Sequence, residues 1–291
     1  MAERAELTAT ERAALALGRW ANETDGGKHA QYLFHSFFTK NWVARTVQRR
    51  TYVDGIDYLR DLHPDRGVMV VSNHRTFFDQ YVMMLAAFTV RIPWVKRIYF
   101  PVRANFFYDK PVGLLLNYLV GAGTMYPPIF RDRSKSELNK DALDRVIKFL
   151  AKPDTVVGVH PEGTRGKGPD PYEMLPAQPG VGQMILHAKP IVVPVFLNGL
   201  SNDFLSDVRL NYRKDARRIN PVVMVWGQPI DYSELTVSKP RAALYKKCGD
   251  KIRASILALS ERERELRAAG ASGQIADDDP QWLENRARAN R

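Results

Sequence analysis

A histidine and an aspartate five positions apart, His74 and Asp79, are the first residues in this 291-residue sequence whose types and spacing suit catalysis. A carboxylate that accepts a hydrogen bond from one imidazole nitrogen fixes the tautomer and leaves the other nitrogen as a base. Residues five apart in a continuous helix lie about 140° apart around its axis, so the pair needs a turn. We expect His74 in that turn, Thr76 as the cap of the next helix, and Asp79 folded back from the third helical position. Taken alone, the pair suits a structural or surface role equally well.

Two apolar runs, each followed by a polar turn, predict that His74 and Asp79 lie at the end of a strand in a sheet. Residues 67–72 and 155–159 are apolar without alternation, which is typical of strands buried on both faces of a parallel sheet. The second run leads directly into residues 160–165, which read His-Pro-Glu-Gly-Thr-Arg. Open α/β sheets bind ligands outside the carboxyl ends of their strands. We therefore expect both turns to lie at one edge of the sheet.

On the basis of both turns together, the sequence resembles the glycerophospholipid acyltransferase family. The best-known members of that family are 1-acylglycerol-3-phosphate (lysophosphatidic acid) acyltransferases. The first motif of that family is Asn-His, four further residues and Asp, and it corresponds here to Asn73, His74 and Asp79. The third motif, Pro-Glu-Gly-Thr-Arg, is residues 161–165 without a change. The two motifs together, in this order, are specific, whereas either one alone is not.

The rest of the family pattern is matched more loosely. The second motif corresponds to residues 130–133, where an arginine stands at a position that is usually apolar in the family. That departure leaves open whether Arg131 or Arg133 is the phosphate ligand. An apolar strand with a proline, residues 191–195, is a weaker fourth element, and the resemblance covers about residues 50–235.

The resemblance implies an enzyme of phospholipid biosynthesis. It would move a fatty acyl chain from a thioester donor, acyl-CoA or acyl-carrier protein, to the free hydroxyl of 1-acylglycerol-3-phosphate, giving phosphatidic acid. His74 and Asp79 would be the catalytic pair. The substrate phosphate would be bound by Arg131 or Arg133 together with Glu162, Gly163, Thr164 and Arg165.

Several alternatives stay open beside that reading. The same chemistry could act on glycerol-3-phosphate or on another lysolipid, or the protein could be a non-catalytic binder of membrane surfaces. We expect no metal and no cofactor, since the thioester is a co-substrate and neither His160 nor His187 forms a recognised ligand spacing with His74.

The charge balance favours an anionic partner. Lys and Arg number 43 against 32 Asp and Glu, which gives a net charge of +11. Such an excess suits a phosphate-bearing substrate, an anionic membrane surface or nucleic acid, or else a basic solvated surface. Nucleic acid is not expected, because no zinc-finger or RNA-binding signature accompanies the basic residues. The single cysteine, Cys248, excludes a disulfide framework within the chain and a thiolate metal cluster.

The region from residue 32 to residue 47 is aromatic with interleaved basic residues. The spacing of Phe34, Phe38, Val43 and Val47 suits a helix, and such a composition is typical either of a bilayer interface or of a helix packed on the core. No stretch reaches the roughly 18 to 20 apolar residues that span a bilayer. We therefore expect a protein peripheral to the cytoplasmic face of a membrane, and we expect the best apolar stretch, residues 112–123, to be a buried helix.

Strands that alternate with helices predict the α/β class, with a mostly parallel sheet flanked by helices. By resemblance this is a glycerol-3-phosphate acyltransferase-like fold with an N-terminal helical membrane-associating region. We divide the chain into an N-terminal helical membrane-interfacial region at 1–50, a catalytic domain at 51–235, a C-terminal helix at 236–269 and a flexible polar tail at 270–291.

Overall fold

The strands are short and mostly buried. The computed structural model describes residues 8–108, 111–130 and 135–290. Within these residues the strands are β1 (Thr51–Asp54), β2 (Val68–Ser72), β3 (Arg97–Tyr99), β4 (Val102–Arg103), β5 (Pro128–Ile129), β6 (Thr155–Val159), β7 (Ile191–Asn198) and β8 (Val222–Trp226).

Helices occupy most of the remaining described chain. They are α1 (Ala9–Glu23), α2 (Asp25–Phe34), α3 (Lys40–Val47), α4 (Tyr58–Asp61), α5 (Asp79–Val90), α6 (Ala104–Phe107), α7 (Pro111–Gly121), α8 (Ser136–Leu150), α9 (Pro179–Ala188), α10 (Phe204–Asn211), α11 (Ala216–Ile219), α12 (Ala242–Ser272) and α13 (Leu283–Ala289). A π-helical turn, His35–Thr39, joins α2 to α3, and single 3₁₀ turns span Gln48–Arg50 and Ser233–Leu235.

Six of the strands form one sheet in the order β1-β8-β7-β2-β6-β3. Neighbours run parallel except for β7 and β8, which are antiparallel. The α/β fold with a mostly parallel sheet flanked by helices is therefore confirmed. A separate parallel pair, β4 and β5, lies outside this sheet.

The position of β2 in the middle of the sheet explains its unbroken apolar sequence. Every residue of β2 is buried, because β7 and β6 flank it and helices cover both faces. Val68 and Val70 face a core shared with α5, whereas Met69 and Val71 face a core shared with α8, α9 and α12. Val71 pairs with Val159 of β6, so the carboxyl ends of the two strands lie side by side, as predicted.

The N-terminal region is helical, as predicted, and its last helix, α3, packs against the core beside the sheet. Val43 and Val47 of α3 join the same core as β2 and α5. Membrane association of this region stays a prediction. Among the residues that the structure describes, no helix is both long enough and apolar enough to cross a bilayer.

The structure differs from the sequence prediction in residues 112–123. The predicted buried helix is α7, but its leucine-rich face is exposed to solvent. The reason is that its small and polar positions, Gly113, Asn117 and Gly121, face the protein instead.

The structure also differs from the predicted flexible tail. The side chains of Trp282 and Leu283 are only 1% and 0% exposed. The indole of Trp282 packs edge-on against Tyr52 of β1, and the backbone N–H of Val53 donates to the carbonyl of Gln281 at 3.0 Å. Because β1 is an edge strand, this segment covers backbone groups that would otherwise lack partners.

Candidate active site

The turn after β2 is fixed to the neighbouring strand by Asn73. Its side-chain amide donates to the carbonyl of Leu197 at 2.8 Å, and its side-chain oxygen accepts from the N–H of Leu197 at 2.8 Å. The asparagine is only 2% exposed, so the bonds lie in a dry environment where they hold the turn firmly. Sequence reasoning identified Asn73 only as a motif letter and gave it no role.

The structure brings His74 and Asp79 into contact. Nδ1 of His74 lies 2.9 Å from Oδ2 of Asp79. The same carboxylate accepts from the backbone N–H groups of Arg75 at 2.8 Å and Thr76 at 3.0 Å, and from the Thr76 hydroxyl at 2.6 Å. The predicted folding back of Asp79 is therefore present.

The predicted start of the following helix was wrong. Helix α5 begins at Asp79 itself, and no side chain caps it, whereas Thr76 was expected to be its cap. The physical reason is that the Asp79 carboxylate takes the N–H groups of Arg75 and Thr76 and closes a turn ahead of the helix. His74 and Asp79 thus meet across a turn and not along a helix face.

Opposing effects act on the ionisation of Asp79. Burial raises its pKa, but the hydrogen bonds and charge of His74, with smaller contributions from His160 and Thr76, bring the pKa below its ordinary value. Asp79 is therefore a carboxylate at neutral pH and accepts a hydrogen bond from the Nδ1–H of His74. That tautomer leaves Nε2 of His74 as the basic nitrogen.

A second histidine stacks on the first. The rings of His74 and His160 are parallel within 5°, and their centroids lie 3.9 Å apart. Nδ1 of His160 lies 3.0 Å from the hydroxyl oxygen of Ser72. Burial, followed by the charge of His74, lowers the pKa of His160 to about 3, so this ring is neutral at physiological pH.

The stacked rings do not suit a metal centre. His74, Asp79 and His160 bring possible ligand atoms within 4.8 Å of one another. However, an imidazole nitrogen binds a metal in the plane of its ring, and two parallel stacked rings cannot direct their lone pairs at one ion. Sequence reasoning considered His160 only as a metal ligand. Its stacking on His74 follows from the register of β2 and β6, which sequence alone does not give.

Glu162 of the third motif connects the two turns. One carboxylate oxygen accepts from the backbone N–H of His74 at 2.8 Å, and the other accepts from the N–H of Leu175 at 2.8 Å. The residue is 1% exposed, and burial raises its pKa. Its carboxylate is thus occupied by backbone donors, so any contribution of Glu162 to phosphate binding would act through the loop that it holds.

Gly163 and Gly166 shape the rest of the third-motif turn. Gly163 adopts a φ of +61°, which a glycine tolerates without strain, and its N–H donates to the carbonyl of His160 at 3.0 Å. The N–H of Gly166 donates to the carbonyl of His74 at 2.8 Å. The two turns are therefore hydrogen-bonded to each other, and Thr164 lies on the rim of the same cavity as His74.

Arg165 lies across the ring of Phe77. The guanidinium carbon is 3.5 Å from the ring centroid, and Nη1 donates to the side-chain oxygen of Asn202 at 2.8 Å. These contacts hold the cation at the edge of the cavity. The other predicted phosphate ligands, Arg131 and Arg133, lie outside the described residues, and their role stays a prediction.

A cavity of about 720 Å³ opens beside His74. Its walls are largely apolar and come from β4, β5, β6, α8 and α9, with Phe100, Val102, Ile129, Leu143, Val146 and Met184 as examples. Its described cations are Arg103, Lys140, Arg165 and Lys167, against the single buried carboxylate of Glu162. Sequence reasoning did not identify Arg103 or Lys140, because no local pattern distinguishes them from surface cations.

Most backbone N–H groups next to His74 already have acceptors. Those of His74, Arg75 and Thr76 donate to carboxylates, and that of Phe77 lies 3.3 Å from the side-chain oxygen of Asn202. An anion that develops beside His74 would therefore have to find its donors elsewhere. The third-motif turn, with Thr164 and Arg165, also lines the cavity.

Comparison with known proteins gives a match over the catalytic region. Residues 50–198 match the family model described as Acyltransferase. Among solved structures, the crystal structure of the 1-acyl-sn-glycerophosphate (LPA) acyltransferase PlsC from Thermotoga maritima is similar, at 17% identity, with 86% of this chain and 98% of that chain covered and a TM-score of 0.42. A likeness at that level does not define the activity of this chain. No curated protein matches the sequence.

Proposed function

The chain belongs to the acyltransferase family, and from this premise we propose that it transfers a fatty acyl chain from acyl-CoA or acyl-carrier protein to the free hydroxyl of 1-acylglycerol-3-phosphate. The product would be phosphatidic acid. The match over residues 50–198 confirms the family that the two motifs indicated.

The observation that carries the proposal is the contact between His74 and Asp79 at the cavity wall. An alcohol must lose its proton as it attacks a carbonyl, and a neutral imidazole held by a carboxylate is a suitable general base at neutral pH. Nε2 of His74 would accept the proton from the acceptor hydroxyl. Asp79 would stabilise the imidazolium that forms, because its ionised carboxylate bonds Nδ1.

The reaction would proceed by direct transfer. The acceptor oxygen forms a bond to the thioester carbonyl carbon, giving a tetrahedral oxyanion, and the carbon–sulfur bond then breaks. The imidazolium of His74 returns its proton to the departing thiolate, so that ester and free thiol are the products. Among the described residues that line the cavity there is no serine or cysteine to form a covalent acyl-enzyme. The scheme needs no metal or cofactor apart from the thioester co-substrate.

The third-motif turn supports the proposal in two ways. With the N–H groups of His74 to Phe77 already engaged, we assign stabilisation of the oxyanion to the turn that contains Thr164 and Arg165. Arg165 also offers a fork of donors that suits a phosphate oxygen pair. Glu162 would position His74 through its backbone N–H and would not touch the substrate.

The cavity composition favours a lysolipid acceptor over glycerol-3-phosphate. Its apolar walls suit acyl chains, and its cations suit a phosphate at the rim. Binding of that phosphate would involve Arg165, Thr164, Gly163 and, by resemblance, Arg131 or Arg133. Glycerol-3-phosphate or another lysolipid stays the alternative acceptor.

The lipid substrates and the net charge of +11 support a further part of the proposal. We place the protein at an anionic membrane surface, peripheral to the cytoplasmic face, with no nucleic-acid partner. A non-catalytic membrane-surface binder built on the same fold would share these properties, but it would have no need of an ionised Asp79 beside His74.

The test is thiol release from palmitoyl-coenzyme A by the purified protein. The assay has three arms, with lysophosphatidic acid, with glycerol-3-phosphate and with no acceptor, and it is repeated with a palmitoyl carrier-protein thioester as the donor. Release that requires lysophosphatidic acid, with phosphatidic acid as the product, supports the proposal. Release with glycerol-3-phosphate alone would assign the alternative acceptor, and absence of release with coenzyme A and carrier-protein thioesters would favour the binding protein.

A further inference from the structure

One face of α7 exposes four large apolar side chains in a row. Val112, Leu115, Leu116 and Leu119 are 68%, 57%, 51% and 56% exposed. Their spacing places them on a single helix face. A helix on the surface of a soluble domain normally turns such a face toward the core, so this orientation requires another explanation.

The π-helical turn extends this apolar surface. Phe37 and Phe38 are 72% and 52% exposed. The hydroxyl of Thr39 in the same turn donates to the carbonyl of Val120 in α7 at 3.2 Å, which ties the two elements together. We call the exposed side chains on the two elements the docking face, and its members are Phe37, Phe38, Val112, Leu115, Leu116 and Leu119.

A basic pocket adjoins the π-helical turn. Ser36 and Lys40, which flank Phe37 to Thr39 in the chain, line a cavity of about 390 Å³ together with Arg91 and Lys96. None of its described lining residues is an aspartate or a glutamate. The Ser36 hydroxyl donates to the carbonyl of Tyr32 at 2.8 Å, so the pocket offers an anionic ligand its cations, with no carboxylate in the described lining to oppose it.

We propose that the docking face inserts into the surface of an anionic phospholipid bilayer while the basic pocket binds a lipid phosphate. An apolar surface with cations beside it is the pattern that binds an anionic membrane interface. Helix α7 has 11 residues and a length of about 16 Å, half of the hydrocarbon thickness, so it would lie in the interface and not span it.

The docking face is connected to the cavity beside His74 through α6. Helix α6 packs against α7, and Phe107 of α6 lines that cavity. Docking through α7 would therefore hold the cavity close to the membrane in which a lysolipid resides. The benefit of docking for access to a lysolipid rests on the proposed function. The binding of the docking face to a membrane does not.

The experiment is sedimentation of the full chain with vesicles of equal parts phosphatidylglycerol and phosphatidylcholine. The double variant Leu116→Glu, Leu119→Glu should lower the partition coefficient by at least about tenfold, because two charges enter the apolar layer. The control Val237→Glu changes a side chain that is 84% exposed in the loop before α12, and it should bind like the wild type. Leu116→Ser serves as a milder variant with the same direction of effect.

The basic pocket is tested separately. Arg91→Glu with Lys96→Glu should lower binding to the same vesicles by about tenfold or more, and should have little effect on vesicles of phosphatidylcholine alone. Lys239→Glu with Lys247→Glu, at two exposed cations just before and on α12, is the charge-matched control. Equal loss with this control would show that net charge alone matters and would overturn the assignment of the pocket.

Two outcomes would overturn the docking face. Wild-type binding by Leu116→Glu, Leu119→Glu would overturn it, as would self-association of the wild type that the variant abolishes, since the face would then be a protein interface. Transfer by this variant in detergent micelles should stay within about twofold of the wild type, because both side chains are exposed and neither lines the cavity beside His74. A wild type that binds vesicles but transfers no acyl chain would remove the proposed function and leave the docking face standing.

Discussion

Asp207 and Asp79 are buried carboxylates that each pair with a basic side chain, and of these two pairs only that of Asp79 lies on a cavity. Arg50 and Asp207 are 0% and 1% exposed and form an ion pair. Arg50 also donates to the carbonyls of Gly199 at 2.9 Å and Asn220 at 2.8 Å, so the pair is enclosed by backbone. Asp79 is equally buried, but its partner His74 lines the cavity.

The chemical nature of the base separates the pairs further. An arginine stays protonated at all physiological pH values and cannot exchange a proton with a substrate, whereas a histidine can. Burial raises the pKa of Asp207 despite the nearby Arg50, while the donors around Asp79 bring its pKa below the ordinary value. A buried acid–base pair therefore does not identify a catalytic site by itself. The distinguishing features are access to a cavity and a base that can gain and lose a proton.

The largest expected effect is on transfer in His74→Ala. We expect kcat to fall by about 10³–10⁴-fold, since general-base assistance and alignment are lost together. The free energy of unfolding should fall by less than in Arg50→Met, because the Asp79 carboxylate keeps the hydrogen bonds from the backbone N–H groups of Arg75 and Thr76 and from the Thr76 hydroxyl. His187→Ala, at an exposed histidine on α9, is the matched control and should transfer normally. Near-normal turnover in His74→Ala would remove His74 as the base.

Arg50→Met should have the opposite effect, with a large loss of stability and little change in acyl transfer. Removal of one partner leaves the Asp207 charge buried without compensation, and we expect a loss of about 3–5 kcal/mol in the free energy of unfolding. Transfer per folded molecule should be close to that of the wild type at low temperature. Urea unfolding followed by circular dichroism gives the first quantity. A stable but inactive Arg50→Met protein would contradict the assignment of this pair to structure.

Asp79→Asn should reduce kcat by about 100-fold with little change in the acceptor KM. The amide cannot stabilise the imidazolium, and the preferred tautomer of His74 is lost. Steady-state kinetics with varied acceptor separate the two constants. A raised KM at unchanged kcat would show instead that Asp79 serves only to shape the turn.

Arg165→Ala should raise the acceptor KM by about tenfold, because one charge-assisted contact to the phosphate disappears. Lys167→Ala, in the adjacent loop, is a neighbouring cation for comparison. An unchanged KM for lysophosphatidic acid in Arg165→Ala would count against phosphate binding by this residue, and would direct attention to Arg103 or the second motif.

The smallest effect concerns His160 and acid stability. Its pKa of about 3 in the folded protein lies below the ordinary 6.5, so the unfolded chain binds a proton first as the pH falls. Stability from this group is present above pH 6.5 and is lost toward pH 3, with at most about 2 kcal/mol lost by pH 5. His160→Phe keeps a stacked ring without titration, and its unfolding free energy should fall less between pH 7 and pH 5. An equal fall in both proteins would show that His160 is not held neutral.

The sequence was sufficient to predict the strands and turns around His74 and Asp79. The unbroken apolar run of β2 predicted a central parallel strand, and two such strands predicted that the turns after β2 and β6 would meet. The folding back of Asp79 followed from its spacing to His74. These predictions succeeded because each rests on local geometry that a few consecutive residues determine.

Features that depend on distant contacts could not be predicted in this way. The exposure of α7 was missed because an apolar helix has the same composition whether it faces the core or the solvent. Docking of Trp282 on β1 and the pairing of Arg50 with Asp207 join residues far apart in the chain. The stacking of His160 on His74 depends on strand register, which no short motif encodes.

The most direct test of the account measures two quantities on the same two variants, acyl transfer and the free energy of unfolding in His74→Ala and Arg50→Met. His74→Ala should lose much less stability than Arg50→Met and should release no thiol above the rate without acceptor. Arg50→Met should unfold at much lower urea and should still transfer acyl groups while folded. Thiol release by His74→Ala at the wild-type rate would contradict the central claim that the open histidine–aspartate pair performs the chemistry.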